Sequence, residues 1–142
     1  LRMLAALYCL FILLAVASAM RPEQAYGVQG KLMCGQKPAT NVKVKLFDKD
    51  TGMDPDDLMA EVSSGGDGTF ILQGTENEMT KIDPELYIYH GCNDGIKPGQ
   101  REVKIILPKQ YIAEGKVPKT WFPLGVLNLE AEYTEEKRHL IG

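Results

Sequence analysis

Apolar residues recur with period two along most of this chain. In VKVKLF, Val42, Val44 and Leu46 alternate with Lys43 and Lys45; in VLNLEAEY, Leu127, Leu129, Ala131 and Tyr133 alternate with Asn128, Glu130 and Glu132. Such alternation predicts antiparallel strands with one buried and one solvated face. YGVQGKLMC, LMAEVS, TFILQ, ELYIYHGC and EVKIILP are further candidate strands, with a short one at KTWFPL before Gly125. The separators GQKPATN, SSGGDG, NDGIKPG and AEGKVP are rich in turn-forming residues. About seven or eight short antiparallel strands at this spacing predict an all-β sandwich. TENE, Thr75 to Glu78, has capping-box spacing, but no helical run of apolar residues follows before Asp83-Pro84, so a loop is expected there.

The first twenty residues break the pattern. In LRMLAALYCLFILLAVASAM, Arg2 precedes an apolar run from Met3 to Val16, and Ala17-Ser18-Ala19 close it with small side chains. The run is shorter than the roughly 18–20 apolar residues of a spanning helix, and its ending suits cleavage. Residues 1–19 are therefore expected to be a secretory signal peptide and residues 20–142 one β-sandwich domain, secreted to the extracellular space. No second apolar span follows it. Cys9 leaves with this leader, so Cys34 and Cys92 are the cysteines of the mature chain. An even count in an oxidising compartment predicts one disulfide. Closing a loop of about sixty residues, it would stabilise the fold by about 4 kcal/mol in the chain-entropy picture. The formal charge of −3 becomes one unit more negative once Arg2 is removed, which argues against nucleic acid, whose phosphates need clustered Lys and Arg.

DKDTGMDPDDL, Asp48 to Leu58, holds five aspartates between two apolar runs. A calcium loop of the EF-hand type needs oxygen ligands at its first, third and fifth positions, Gly at the sixth and Glu at the twelfth. Counted from Asp48, those last three positions are Gly52, Met53 and Met59. The pattern fails and no helical periodicity flanks it, so Asp48 to Asp57 is expected to connect two strands. Weak calcium binding stays open, because affinity depends on how many carboxylates converge.

The stretches GVQGKLMCGQKPATNVKVKLFDKD and IDPELYIYHGCND resemble the nematode transthyretin-like family. The matching positions are Gly30, Leu32, Cys34 and Pro38, then Val42, Val44, Leu46, Phe47 and Asp48, then Gly68 and Phe70. They continue through Ile82, Asp83, Pro84, Leu86, Ile88, His90 and Cys92, with a family-like ending from Gly125 to Glu136. The resemblance implies a prealbumin-like (transthyretin-like) sandwich of two antiparallel sheets. Members often carry a second cysteine pair, but Gly99 stands in the first of those regions and RHLIG holds no cysteine. That joint absence leaves Cys34 and Cys92 as partners. Pro123, where the family more often has an acidic residue, leaves the pairing of its strand open because it donates no backbone hydrogen bond.

Candidate chemistry is sparse. His90 and Cys92 are two apart on one expected strand, sharing the inward face of Leu86 and Ile88. With Cys34 and His139 they form a conceivable zinc set, but finger spacing is lacking and oxidation competes for the thiols, so no metal is expected. Ser63 and Ser64 lie outside any nucleophile-elbow sequence. The 5-hydroxyisourate hydrolases related to transthyretin use several histidines, an arginine and a Y-R-G-S ending, which this chain lacks. No catalytic residue, enzyme activity or cofactor is expected. Lys43, Lys45 and Lys104 point outward; they are ordinary solvated strand residues or, in the sharper reading, contacts for an anionic ligand such as a lipid headgroup. The expected function is extracellular binding of a cell-surface protein or lipid, as a monomer or weak homo-oligomer. The alternative is an oligomeric carrier of a small hydrophobic molecule.

Overall fold

The computed structural model describes residues 1–19, 21–50 and 56–140. Helix α1 spans Arg2–Ala19. Its large apolar side chains, among them Leu4, Phe11 and Val16, are exposed and none joins the core. No helix among the described residues is long and apolar enough to cross a membrane. The expected cleavage point abuts Met20, which lies outside the described residues.

Strands β1 (Glu23–Cys34), β2 (Lys37–Pro38), β3 (Lys43–Asp48), β4 (Asp57–Ser63) and β5 (Thr69–Asn77) follow. Then come β6 (Pro84–His90), β7 (Gln100–Ile106), a 3-10 turn (Lys109–Tyr111), β8 (Ala113–Glu114), β9 (Phe122–Asn128) and β10 (Lys137–His139). They form the expected all-β sandwich as two five-stranded sheets. Sheet I is built around β1, which pairs with β5 and β2 on one edge and with β8 and β9 on the other. Sheet II has the order β10-β7-β6-β3-β4 and is antiparallel throughout. Tyr26, Val28, Leu32, Phe70 and Leu72 of sheet I meet Val44, Leu46, Leu86, Ile88 and Val103 of sheet II in one core.

Among the described residues ten strands form where about seven or eight are expected, because β2, β8 and β10 are too short for alternation to reveal. TENE is not a loop. Strand β5 continues to Asn77, because β1 begins at Glu23 and offers partners for Thr75, Glu76 and Asn77. KTWFPL and VLNLEAEY are not separate strands either; they join through Gly125, whose φ of +78° suits glycine, into β9. β9 runs parallel to β1, the exception to the antiparallel expectation, with a register shift between Gln29 and Gly30. Pro123 thus sits at the edge of the sheet beside an irregularity, where its missing donor is tolerated. The strand expected through Tyr133 stops at Asn128, whose side-chain oxygen accepts the Gly35 and Glu130 N–H groups and turns the chain.

Gly68 marks the closest approach of the turn between β4 and β5 to strand β1, where its carbonyl accepts the Leu32 N–H. Its φ is +81°, and a methyl group there would lie 2.2 Å from the Leu32 carbonyl oxygen. Gly66, in the same turn, has nothing within 4 Å of the equivalent position. Gly68→Ala is expected to lower unfolding free energy by about 3 kcal/mol, and Gly66→Ala to change it by less than about 0.5 kcal/mol. Urea denaturation of both variants measures the contrast.

Candidate functional site

The chain brings Cys34, His90, Cys92 and Arg101 into one knot between the sheets. Cys34 ends β1 in sheet I, Cys92 follows β6 of sheet II, and they form a disulfide with a Cα–Cα distance of 5.7 Å. It joins positions 58 residues apart, as the cysteine count predicts. His90 ends β6 with its side chain in the core, only 2% exposed. Its Nδ1 accepts the Cys92 N–H at 3.1 Å, whereas Nε2 is buried without a hydrogen-bond partner among the described residues. Cys92 itself lies beyond the end of the strand, though its side chain remains in the core as expected.

Arg101 pairs across the ladder with His90 and also points inward, 6% exposed. All its N–H groups are used. Nη1 donates to the Cys92 and Leu129 carbonyls, both at 2.9 Å, and Nη2 to the Ala131 carbonyl and Glu136 Oε2, both at 2.8 Å. Nε donates to Glu136 Oε1. The bidentate bond to Arg101 holds the Glu136 carboxyl below the usual range. Burial, reinforced by the Arg101 cation, pushes His90 down to about 4, against the opposing pull of Glu136 and Asp94. Sequence reasoning missed Arg101. The available signal was its phase: it is in step with Val103 and Ile105, which places a cation on an inward face.

These placements take apart the candidate catalytic and zinc sets. Cys34 and Cys92 are joined to each other, and His139 stands on β10 with its ring 5.0 Å from the outward ring of Tyr89, across sheet II from His90. Ser64 donates to the Ala39 carbonyl and accepts the Val42 N–H, so its hydroxyl ties the turn before β3 to the end of β4. Ser63 is exposed.

The acidic loop is flanked by strands, as expected, although residues 51–55 lie outside the described ones. Asp48 is 3% exposed and accepts the Asp83 N–H at 2.7 Å. Carboxylate oxygens of Asp48, Asp50 and Glu78 lie within 4.8 Å of one another. Burial pushes the Asp48 carboxyl up to about 6; the Asp83 hydrogen bond opposes this, and the negative charges of Asp50 and Glu78 add to it.

Lys43, Lys45 and Lys104 do come together, on the outer face of sheet II. Lys43 and Lys45 reach Glu61 at 3.3 and 3.5 Å, and Lys104 reaches Glu85 at 3.0 Å. The face is therefore balanced in charge rather than basic. Between the lysines runs a row of rings. Phe47 meets Tyr87 edge-on at 5.2 Å, Tyr87 stacks beside Tyr89 at 6.4 Å, and Lys45 lies 5.5 Å over the Tyr89 ring. This aromatic row follows from the same alternation that buries Leu86 and Ile88, but its rings come from two strands and meet only through their register, which the sequence alone does not show.

Two opposed pH dependences follow. His90 is neutral when folded and titrates near 6.5 when unfolded, so the unfolded chain binds the extra proton and stability falls as pH drops from 6.5 towards 4. At about 1.4 kcal/mol per pH unit the loss approaches about 3 kcal/mol. Asp48 has the reverse sign: its folded value is raised, the folded chain holds the proton longer, and stability falls as pH rises from 3.8 towards 6. Asp48→Asn, which keeps the acceptor for Asp83, is expected to raise stability at pH 7 by on the order of 2 kcal/mol and to leave it unchanged near pH 4. His90→Phe is expected to flatten the loss below pH 6.5. Thermal unfolding of each variant across pH 4–8 reads both slopes.

The pattern of the Transthyretin-like family matches residues 29–108. Transthyretin-like protein 33 of Caenorhabditis elegans is 48% identical over 135 residues, covering 95% of this chain and 94% of its own. Transthyretin-like protein 46 of the same nematode is 50% identical over 93% of this chain and 74% of its own. Transthyretin-like protein 5 is 50% identical over 81% and 83% respectively. The disulfide-pinned sandwich and these matches have one conclusion: the chain belongs to the transthyretin-like family.

Proposed function

We propose that this chain is a secreted, non-catalytic binding domain that engages an extracellular protein through the outer face of sheet II. The observation that carries this reading is the row of half-buried Phe47 and Tyr87 beside the largely buried Tyr89, set among paired lysines and glutamates on a face that no other layer among the described residues covers. Aromatic rings bracketed by charge are the usual composition of a protein-binding surface. Secretion is supported by the apolar leader, whose side chains find no place in the core, and by a disulfide that an oxidising compartment sustains. Catalysis is disfavoured by the chemistry of the knot. A neutral, buried His90 bonded to backbone beside an oxidised cysteine pair offers neither a free nucleophile nor an accessible base.

A protein partner fits this face better than an anionic lipid. Each lysine near a charged membrane gains about 1 kcal/mol. Freeing Lys43 or Lys45 from the exposed Glu61 costs up to about 1 kcal/mol, freeing Lys104 from the largely buried Glu85 costs more, and both carboxylates stay behind to repel the headgroups. The two effects nearly cancel.

A second reading, an oligomeric carrier of a small hydrophobic molecule, draws support from the other sheet. Gln29, Ile71, Pro123 and Gly125 line an open groove of about 430 Å³ on the outside of sheet I, with Ile71 64% exposed. One chain leaves that groove without a roof, and a second copy could supply it.

The mature domain, immobilised, is expected to retain a protein from extracellular fluid and to lose it in the variant K43E/K45E/K104E. Neither form should sediment with phosphatidylserine vesicles beyond neutral ones at physiological salt. An identical set of retained proteins for both forms removes this face from consideration, and lipid-dependent sedimentation that the triple variant abolishes restores the headgroup reading. A concentration-dependent dimer in sedimentation velocity, with enhanced uptake of an apolar dye, favours the carrier.

A further inference from the structure

His90 ends in a hydrogen-bond donor that the fold does not use. Because Nδ1 accepts the Cys92 N–H, the one proton of the neutral ring must sit on Nε2. That N–H is buried and has no acceptor among the described residues. Leaving such a group unpaired costs about 1–3 kcal/mol, so the position calls for an acceptor from outside the chain. The same tautomer rules out a metal at Nε2, whose lone pair the proton occupies.

His90 is also among the residues that line a cavity of about 220 Å³, with Cys34, Cys92, Ala39, Thr40 and Leu129. Thr40 is exposed and marks the mouth. An apolar cavity of about 150 Å³ holds benzene, so a ring-sized guest fits. A charged guest does not. The neighbouring Arg101 has committed every N–H to Glu136 and to the carbonyls of Cys92, Leu129 and Ala131, so an anion would be desolvated with no free countercharge. The disulfide sulfurs and Leu129 instead offer soft, polarisable contact to an apolar or aromatic body.

We infer that this cavity is a binding site for a small uncharged molecule that presents one oxygen acceptor to His90 Nε2–H and an apolar body to the Cys34–Cys92 disulfide. The site lies on the inner side of β6, where His90 points, and the proposed protein-binding face lies on the outer side, where Tyr89 points. The two are independent, and either can fail alone.

Acetophenone and ethylbenzene, similar in size but with and without a carbonyl, test it on the ¹⁵N-labelled full domain. Long-range ¹H–¹⁵N spectra report the His90 ring directly. Acetophenone is expected to shift the Nε2 and Nε2–H signals saturably and to bind about tenfold more tightly than ethylbenzene, the ratio that one net hydrogen bond of about 1.4 kcal/mol gives. His90→Phe should abolish that preference. Thr40→Trp, at the exposed mouth, should weaken both probes while thermal unfolding stays that of the parent. Equal affinities, no saturable shift from either probe, or a water held on Nε2–H that acetophenone cannot displace would each overturn the inference.

Discussion

The buried guanidinium of Arg101 is the constraint on which the rest of this structure depends. Taking a cation out of water costs several kcal/mol unless its donors and charge are both met. Here the planar fork meets a bidentate carboxylate and three carbonyls, a match to which a lysine's point charge is not suited. Satisfying that fork dictates the path of the chain after β9. The carbonyls of Leu129 and Ala131 must turn inward, which ends the strand, and Glu136 must return to β7, which delivers β10 to the edge of sheet II. A second clasp follows the same course. Arg138 bonds both oxygens of Asp94, at 2.5 and 2.9 Å, in the turn after Cys92.

The disulfide and the clasp divide the work. The disulfide stabilises chiefly by restricting the unfolded chain, and it ties the end of β1 to the end of β6 without saying where the C-terminal segment goes. Arg101 acts in the folded state and binds the C-terminal segment to that same junction. Their proximity also settles the state of His90. Burial disfavours charging the ring and the Arg101 cation beside it adds to this, so His90 stays neutral and takes the backbone N–H of Cys92 instead of giving a proton.

Much of the fold was legible because period-two alternation is a direct image of the pleat. Val44 and Leu46, Leu86 and Ile88, and Val103 all face the core as their phase requires. The misses share a cause: β2, β8 and β10 are too short to show a period, and the extension of β5 to Asn77 depends on a partner strand that local pattern does not contain. The disulfide followed from counting cysteines, whereas the five acceptor atoms around Arg101 belong to four residues in two distant stretches, Cys92 and 129–136, and only their assembly reveals them. The lysines were placed correctly on one face. Their carboxylate partners were not, because cross-strand neighbours depend on register.

The same division explains where binding can reside. At the knot, each polar group serves the fold, and removing one partner strands another: without Arg101, Glu136 becomes a largely buried carboxylate lacking its cation, a change worth about 3–5 kcal/mol for such pairs. On the outer face of sheet II the pairs of Lys43 and Lys45 with Glu61 are solvated and individually worth about 1 kcal/mol or less, whereas the Glu85 carboxylate that Lys104 meets is only 7% exposed. A surface whose contacts contribute so little to folding can exchange them for contacts with another molecule, and its aromatic row supplies the apolar area that makes the exchange favourable. His90 Nε2 is the exception inside the knot, a buried polar atom that the fold leaves unserved, which is why it is the point in the interior where an outside ligand would add stability rather than compete with it.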